Sequence, residues 1–242
     1  MQASLAMVQA VIADAVRRRV IWVVLVFAAL LALAVPSLPS YGDAVVSSVY
    51  REVTQSLMFV AALVVGLTLS ATRVPNEVER RTVFSILARD VRRWQYVTAT
   101  WVGIFAVTGV VLAAFAVISV VAGYFLYQEV MLVLFVGALA VWLEAGVVMA
   151  LTVLLSTRFS PVTSIVGALA FLFVGHTWAG LLIPDASAQW WVPSLEVFNV
   201  ISAVAHGSGV SFAYTVSMLV AFFAWAALLL LGAAVSFGGR DL

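Results

Sequence analysis

Glu144 and His176 are titratable side chains set inside long apolar runs, Glu144 in AVWLEAGVV and His176 in LFVGHTWAG. A carboxylate near the middle of a membrane-length run costs about 3 kcal/mol on insertion scales, so Glu144 must face a bundle interior or a wet cavity, in protonated or paired form. Two uses fit that placement. It lines a translocation route or couples a conformational step, or it supplies one interhelical hydrogen bond that holds a bundle together. His176 sits slightly outward of the middle of its own run, at a depth that makes it the candidate partner of Glu144. No nucleophile–base pair or metal-ligand set at recognisable spacing accompanies them, which disfavours an intramembrane enzyme built on Glu144 and His176.

A second constellation lies between Arg73 and Arg93, where nine of the 23 charged residues gather. Pro75 precedes Asn76, and Glu79 follows three positions later, an Asn-led capping box that predicts a helix starting at Asn76. Glu77 and Glu79 would occupy its first turn, where the helix dipole favours anions. Val83, Ile86 and Leu87 then make a small apolar face, and Arg89, Arg92 and Arg93 precede Trp94. Arginines beside a bilayer are accounted for by anionic lipid alone. The cap, the paired glutamates and the apolar face are not, and they suit a protein-docking helix.

These groups need elements to hold them. Hydrophobic residues make up 65% of the chain and charged residues 10%, a balance that belongs to membrane proteins. Six runs approach the roughly 20 apolar residues needed to cross hydrocarbon: 19–35, 56–72, 97–122, 130–156, 162–183 and 211–237. The expected fold is one all-α polytopic domain over 1–242, with six transmembrane helices. Residues 1–18 read as an amphipathic helix on the inner leaflet, with Leu5, Val8, Ile12 and Val16 opposite Gln2, Gln9 and Asp14. That flank argues against a cleaved signal peptide. A cytoplasmic loop spans 73–96, and an external loop, 184–210, carries an apolar stretch at 195–205 that reads as interfacial or re-entrant. Six spans put eleven arginines on the side of both termini and only Arg51 on the other, which predicts cytoplasmic termini.

Absences narrow the chemistry. With no Cys, disulfides and thiolate chemistry are excluded, and with only His176 and His206 a His-rich metal site is too. All twelve basic residues are Arg, so the chain carries no Walker A lysine and no Schiff-base lysine.

The 73–96 block resembles the cytoplasmic loop of ABC type-2 exporter permeases, through Glu77, Glu79, Arg81, Thr82, Ile86, Leu87, Ala88, Val91, Arg93 and Tyr96. The segment from Asp14 to Val20 is similar to the opening of that family, and the closest branch is the permeases grouped with multi-copper enzyme and nitrous oxide reductase maturation. Two positions depart from the pattern: Asp90 stands at the usual Pro, and Thr100 replaces a basic residue. The resemblance implies a non-catalytic permease subunit in a prokaryotic cell membrane. It implies a separate ATPase that binds ATP and Mg and docks on the loop, and a homodimer or a paralogous second permease. Lipids are its other partner, with no nucleic acid. Asn76, Glu77, Glu79, Arg80, Arg81, Val83, Ile86 and Leu87 are the implied docking surface, and Glu144 and His176 the candidate path.

Smaller signals have plain uses. Ala62, Gly66 and Ser70 form a small-residue stripe suited to close helix packing, with a homodimer seam as the other use. Trp190 and Trp191 read as interface anchors and His206 as a solvated loop residue. A non-transporting membrane scaffold or immunity protein fits the same composition.

Overall fold

A computed structural model describes residues 9, 26–27, 29–30, 43–79, 92–181 and 194–239. Regular structure among these residues is entirely helical. It comprises α1 (Asp43–Glu79), α2 (Arg93–Tyr127), α3 (Val133–Ser156), α4 (Pro161–Leu181), a 3-10 turn at Glu196–Phe198, α5 (Ile201–Ala205) and α6 (Phe212–Gly238). Four of them, α1, α2, α3 and α6, are long and apolar enough to cross a membrane, and α4 carries a shorter apolar stretch, Pro161–Thr177. The chain is thus an all-helical protein of membrane type. The runs expected at 56–72, 97–122, 130–156, 162–183 and 211–237 fall on α1, α2, α3, α4 and α6 in turn. The first expected span, the 1–18 helix and residues 80–91 and 182–193 lie wholly or mostly outside the described residues.

One expectation fails locally. α1 does not stop at Pro75 to restart at an Asn76 cap; its 37 residues run straight through to Glu79. Proline removes one backbone donor and crowds the preceding turn. Side chains bridge the defect: Arg73 Nε pairs with Glu77 Oε1 at 2.5 Å across Pro75, and the Tyr96 hydroxyl donates to Glu77 Oε2 at 2.6 Å. The capped start lies further on, where the Arg92 N–H donates to Gln95 Oε1 at 3.0 Å and α2 begins. At a rise of 1.5 Å per residue α1 is about 55 Å long, well beyond the roughly 30 Å of hydrocarbon, so its charged ends project from the apolar layer.

α3 is the central helix. In its most apolar window 72% of residues are buried, against 22% for α6, and it packs on α1, α2, α4 and α6. The small stripe of α1 serves this packing: Ala62 and Ser70 are fully buried, and a Cβ on Gly66 would stand 2.7 Å from Met149 Sδ. Beside Gly146 an aromatic stack joins three helices. Phe105 lies parallel to Trp142 at 4.2 Å and to Trp101 at 5.2 Å, with Phe222 at 5.2 Å. The indoles are also anchored, Trp101 to the Gly146 carbonyl at 3.0 Å and Trp142 to the Phe105 carbonyl at 2.8 Å. Outward, Val110, Phe125, Phe212, Phe223 and Val235 are exposed, the surface expected of a chain solvated by lipid.

The two ends differ in charge. Arg73, Arg92, Arg93 and Arg158 collect at the end where α1, α3 and α6 finish and α2 starts. There Arg93 Nη1 donates to the carbonyls of Phe237 at 3.2 Å and Gly238 at 2.6 Å, and Arg158 Nη2 to that of Ser236 at 2.9 Å. Cations on the last carbonyls of α6 answer its dipole as well as its open acceptors. Only Arg51 lies at the opposite end among the described arginines, with Glu129 and the 194–205 segment. That segment folds back onto the bundle, burying Leu195, Phe198, Val200 and Val204.

Candidate functional site

Glu144 occupies the middle of α3, eleven residues from Val133 and twelve from Ser156, hence about 17 Å from either end. Small neighbours, Ala140, Ala145 and Gly146, leave it room among close-packed helices, and it is only 3% exposed. α4 brings His176 to it, with Nε2 at 2.6 Å from Glu144 Oε1. The other ring nitrogen, Nδ1, lies 3.2 Å from Glu196 Oε1 in the 3-10 turn. Asn199 Nδ2 donates to the second Glu196 oxygen at 3.1 Å, fixing that carboxylate. Phe59 of α1 meets the imidazole edge-on at 6.4 Å.

The result is one hydrogen-bonded chain, carboxylate–imidazole–carboxylate, running from the bundle centre toward the end that carries Arg51. Side-chain exposure climbs along it, from 4% at Glu144 to 28% at His176 and 43% at Glu196. A 2.6 Å contact between an imidazole nitrogen and a carboxylate oxygen requires a proton between them. With both ring nitrogens so engaged, His176 can take a proton on one side and release one on the other. Beside this chain opens a cleft of about 370 Å³, bounded by Gln55, Phe59 and Val60 of α1, Val141 and Glu144 of α3, and Phe198 of the turn. Ser56 also borders it, but its hydroxyl donates to the Glu52 carbonyl at 2.9 Å, not to His176. Among the described residues no cluster of His, Asp and Glu is arranged to hold a metal ion.

Sequence reasoning brought Glu144 and His176 forward as partners in depth, and they are in direct contact. Glu196 and Asn199 were missed. Glu196 is the only charge within the apolar stretch 194–205, a signal of the same kind as Glu144. Of the expected docking residues, Asn76 is half-buried within α1 and Glu79 is exposed at its end. Glu77 turns inward to Arg73 and Tyr96, so its carboxylate ties helices together. Arg80, Arg81, Val83, Ile86 and Leu87 lie outside the described residues.

A second polar cleft, of about 630 Å³, lies at the Arg51 end. Arg51 is 7% exposed, with Nη2 at 3.0 Å from Ser47 Oγ and 3.4 Å from Glu129 Oε2. Gly207 closes over it at φ +69°, where a Cβ would collide with Arg51 Nη1. His206, expected to be a plain loop residue, borders this cleft. No known protein-family model and no curated protein matches the sequence.

Proposed function

We propose that the chain is the membrane-spanning subunit of an ATP-driven exporter, moved by a separate ATPase that docks on the cytoplasmic loop, residues 73–96, and binds the ATP and Mg. One observation carries this reading: the Arg-rich end is tied into a single unit. Glu77 joins α1 to α2 through Tyr96, Arg93 joins α2 to the end of α6, and Arg158 joins the end of α3 to α6. The segment 80–91 connects the α1 and α2 members of that unit, so a push on it reaches four helices at once. The excess of arginine there supports a cytoplasmic orientation, which is where ATP is. Two copies, or a copy and a paralogue, would match the paired ATPases that closure on ATP requires.

An intramembrane enzyme gains the Glu144–His176 contact as a base. What would disfavour it is the want of a paired nucleophile: among the described residues no hydroxyl donates to either group. The test is purification of the tagged full chain from its own cells in mild detergent. A P-loop ATPase co-elutes in near-stoichiometric amount, and Val83→Glu combined with Ile86→Glu removes it while membrane levels of the chain stay normal. A wild-type chain that elutes with no ATPase contradicts the proposal.

A further inference from the structure

We propose that the cleft beside Glu144 binds an amphipathic organic cation, a protonated amine on an apolar or aromatic skeleton, in exchange for a proton held on the Glu144–His176–Glu196 chain. As a substrate class for the exporter it rests on the transport reading; as a binding site it does not.

Charge sets the class. Two carboxylates face one imidazole, so with both carboxylates ionised even a doubly protonated ring leaves the cluster with one net negative charge. The surrounding elements add none to balance it. α1 contributes the neutral Gln55 and Ser56, and α4 only His176; from α6 the phenol of Tyr214 lies within electrostatic reach of Glu196. Arg51, one turn from Gln55 on α1, is engaged by Ser47 and Glu129 and borders the other cleft. Glu144 is nine-tenths buried yet lines the cleft, and only Oε1 is used by His176. Its second oxygen has no hydrogen-bond partner among the described residues.

Shape sets the rest. Phe59 and Phe198 line the cleft with Val60 and Val141, an apolar wall suited to a hydrocarbon body with its cation at the carboxylate end. A volume of about 370 Å³ lies at the small end of ligand sites, which run from roughly 300 to 1,000 Å³. The exchange balances as a relay. The Glu144 O–H proton passes to Nε2, the Nδ1 proton passes to Glu196, and the half-exposed Glu196 releases it to water as the ammonium takes its place.

The full chain in lipid nanodiscs is titrated with radiolabelled 4-phenylbutylamine, with empty nanodiscs subtracted. Saturable binding is expected near about pH 8 and at least about tenfold weaker near about pH 5, where protons, about a thousandfold more concentrated, compete with the ammonium for the chain. The neutral 4-phenylbutanol and the anionic 4-phenylbutyrate do not compete. Glu144→Gln weakens binding at least about tenfold, as loss of a desolvated charge partner does. Glu196→Gln, at the exposed rim, weakens it less and flattens the pH profile, and it decides the matter should Glu144→Gln fail to fold. Competition by the alcohol equal to that of the amine overturns the proposal, as does a Glu196→Gln protein with wild-type affinity and pH profile. Absence of amine binding with ATPase association intact sinks this inference alone; loss of the ATPase with amine binding intact sinks the exporter reading alone.

Discussion

His176 Nε2 and Glu144 Oε1 stand 2.6 Å apart across 32 residues of chain, and this contact ties α4 to the middle of α3. A buried polar group that loses its partner costs far more than the net value of the bond, because the orphan keeps its desolvation penalty. His176→Ala is therefore expected to destabilise the detergent-solubilised protein by about 1–3 kcal/mol. His176→Gln, which still offers a donor, recovers part of that loss in thermal unfolding. Equal stability of the alanine variant and wild type would show that Glu144 finds another partner.

Gly207 and Gly209 both hold positive φ, +69° and +67°, but only Gly207 has a neighbour where a side chain would go. Gly209→Ala is expected to cost about 1 kcal/mol for the backbone conformation alone. Gly207→Ala adds a collision with Arg51 Nη1 and moves the guanidinium, so its melting temperature falls further. The ranking is read from paired melting curves.

A Cβ on Gly146 would lie 2.6 Å from Phe105 Cε2 and 2.7 Å from Phe222 Cε2, inside the aromatic stack. Those rings are pinned by one another and by the anchored indoles, so Gly146→Ala is expected to cost about 1–3 kcal/mol through overpacking. Gly66→Ala meets only the thioether of Met149, a flexible side chain, and costs less. Tryptophan fluorescence reports the first change and not the second.

Arg93→Ala removes the donor from the Phe237 and Gly238 carbonyls. Amide exchange at the last turn of α6 is expected to accelerate several-fold, and the centre of α6 near Phe222 to keep its protection. Unchanged exchange at 235–239 would mean that the clamp does not hold this end together.

Much of the fold was legible because membrane helices announce themselves by length and apolarity. α3 and α6 begin and end within three residues of the runs read from the sequence. The start of α1 and the passage through Pro75 were not legible. A proline followed by Asn and Glu is a sound local start signal, and it was overruled by Tyr96, nineteen residues away, reaching back to Glu77. At the candidate site, Glu144 and His176 were visible because each is alone in an apolar run. Glu196 was not, because it sits in a stretch short enough to pass for a loop, and only the fold brings it beneath His176. From position alone Arg93 reads as a lipid anchor and Arg158 as one of the arginines that set orientation; that both clamp the end of α6 depends on helix order, which composition does not encode.

An exporter permease of the kind proposed must be gripped by its ATPase at the segment that follows α1. The chain contains no cysteine, so Ile86→Cys offers a single attachment point for a photoreactive maleimide. Illuminated in native membranes, the labelled variant is expected to cross-link a P-loop ATPase, with a yield that changes when ATP is added. A control at lipid-facing Val110→Cys should capture none. If Ile86→Cys cross-links only lipid, or captures no ATPase under any nucleotide condition, the segment is a topological loop and the exporter account is wrong.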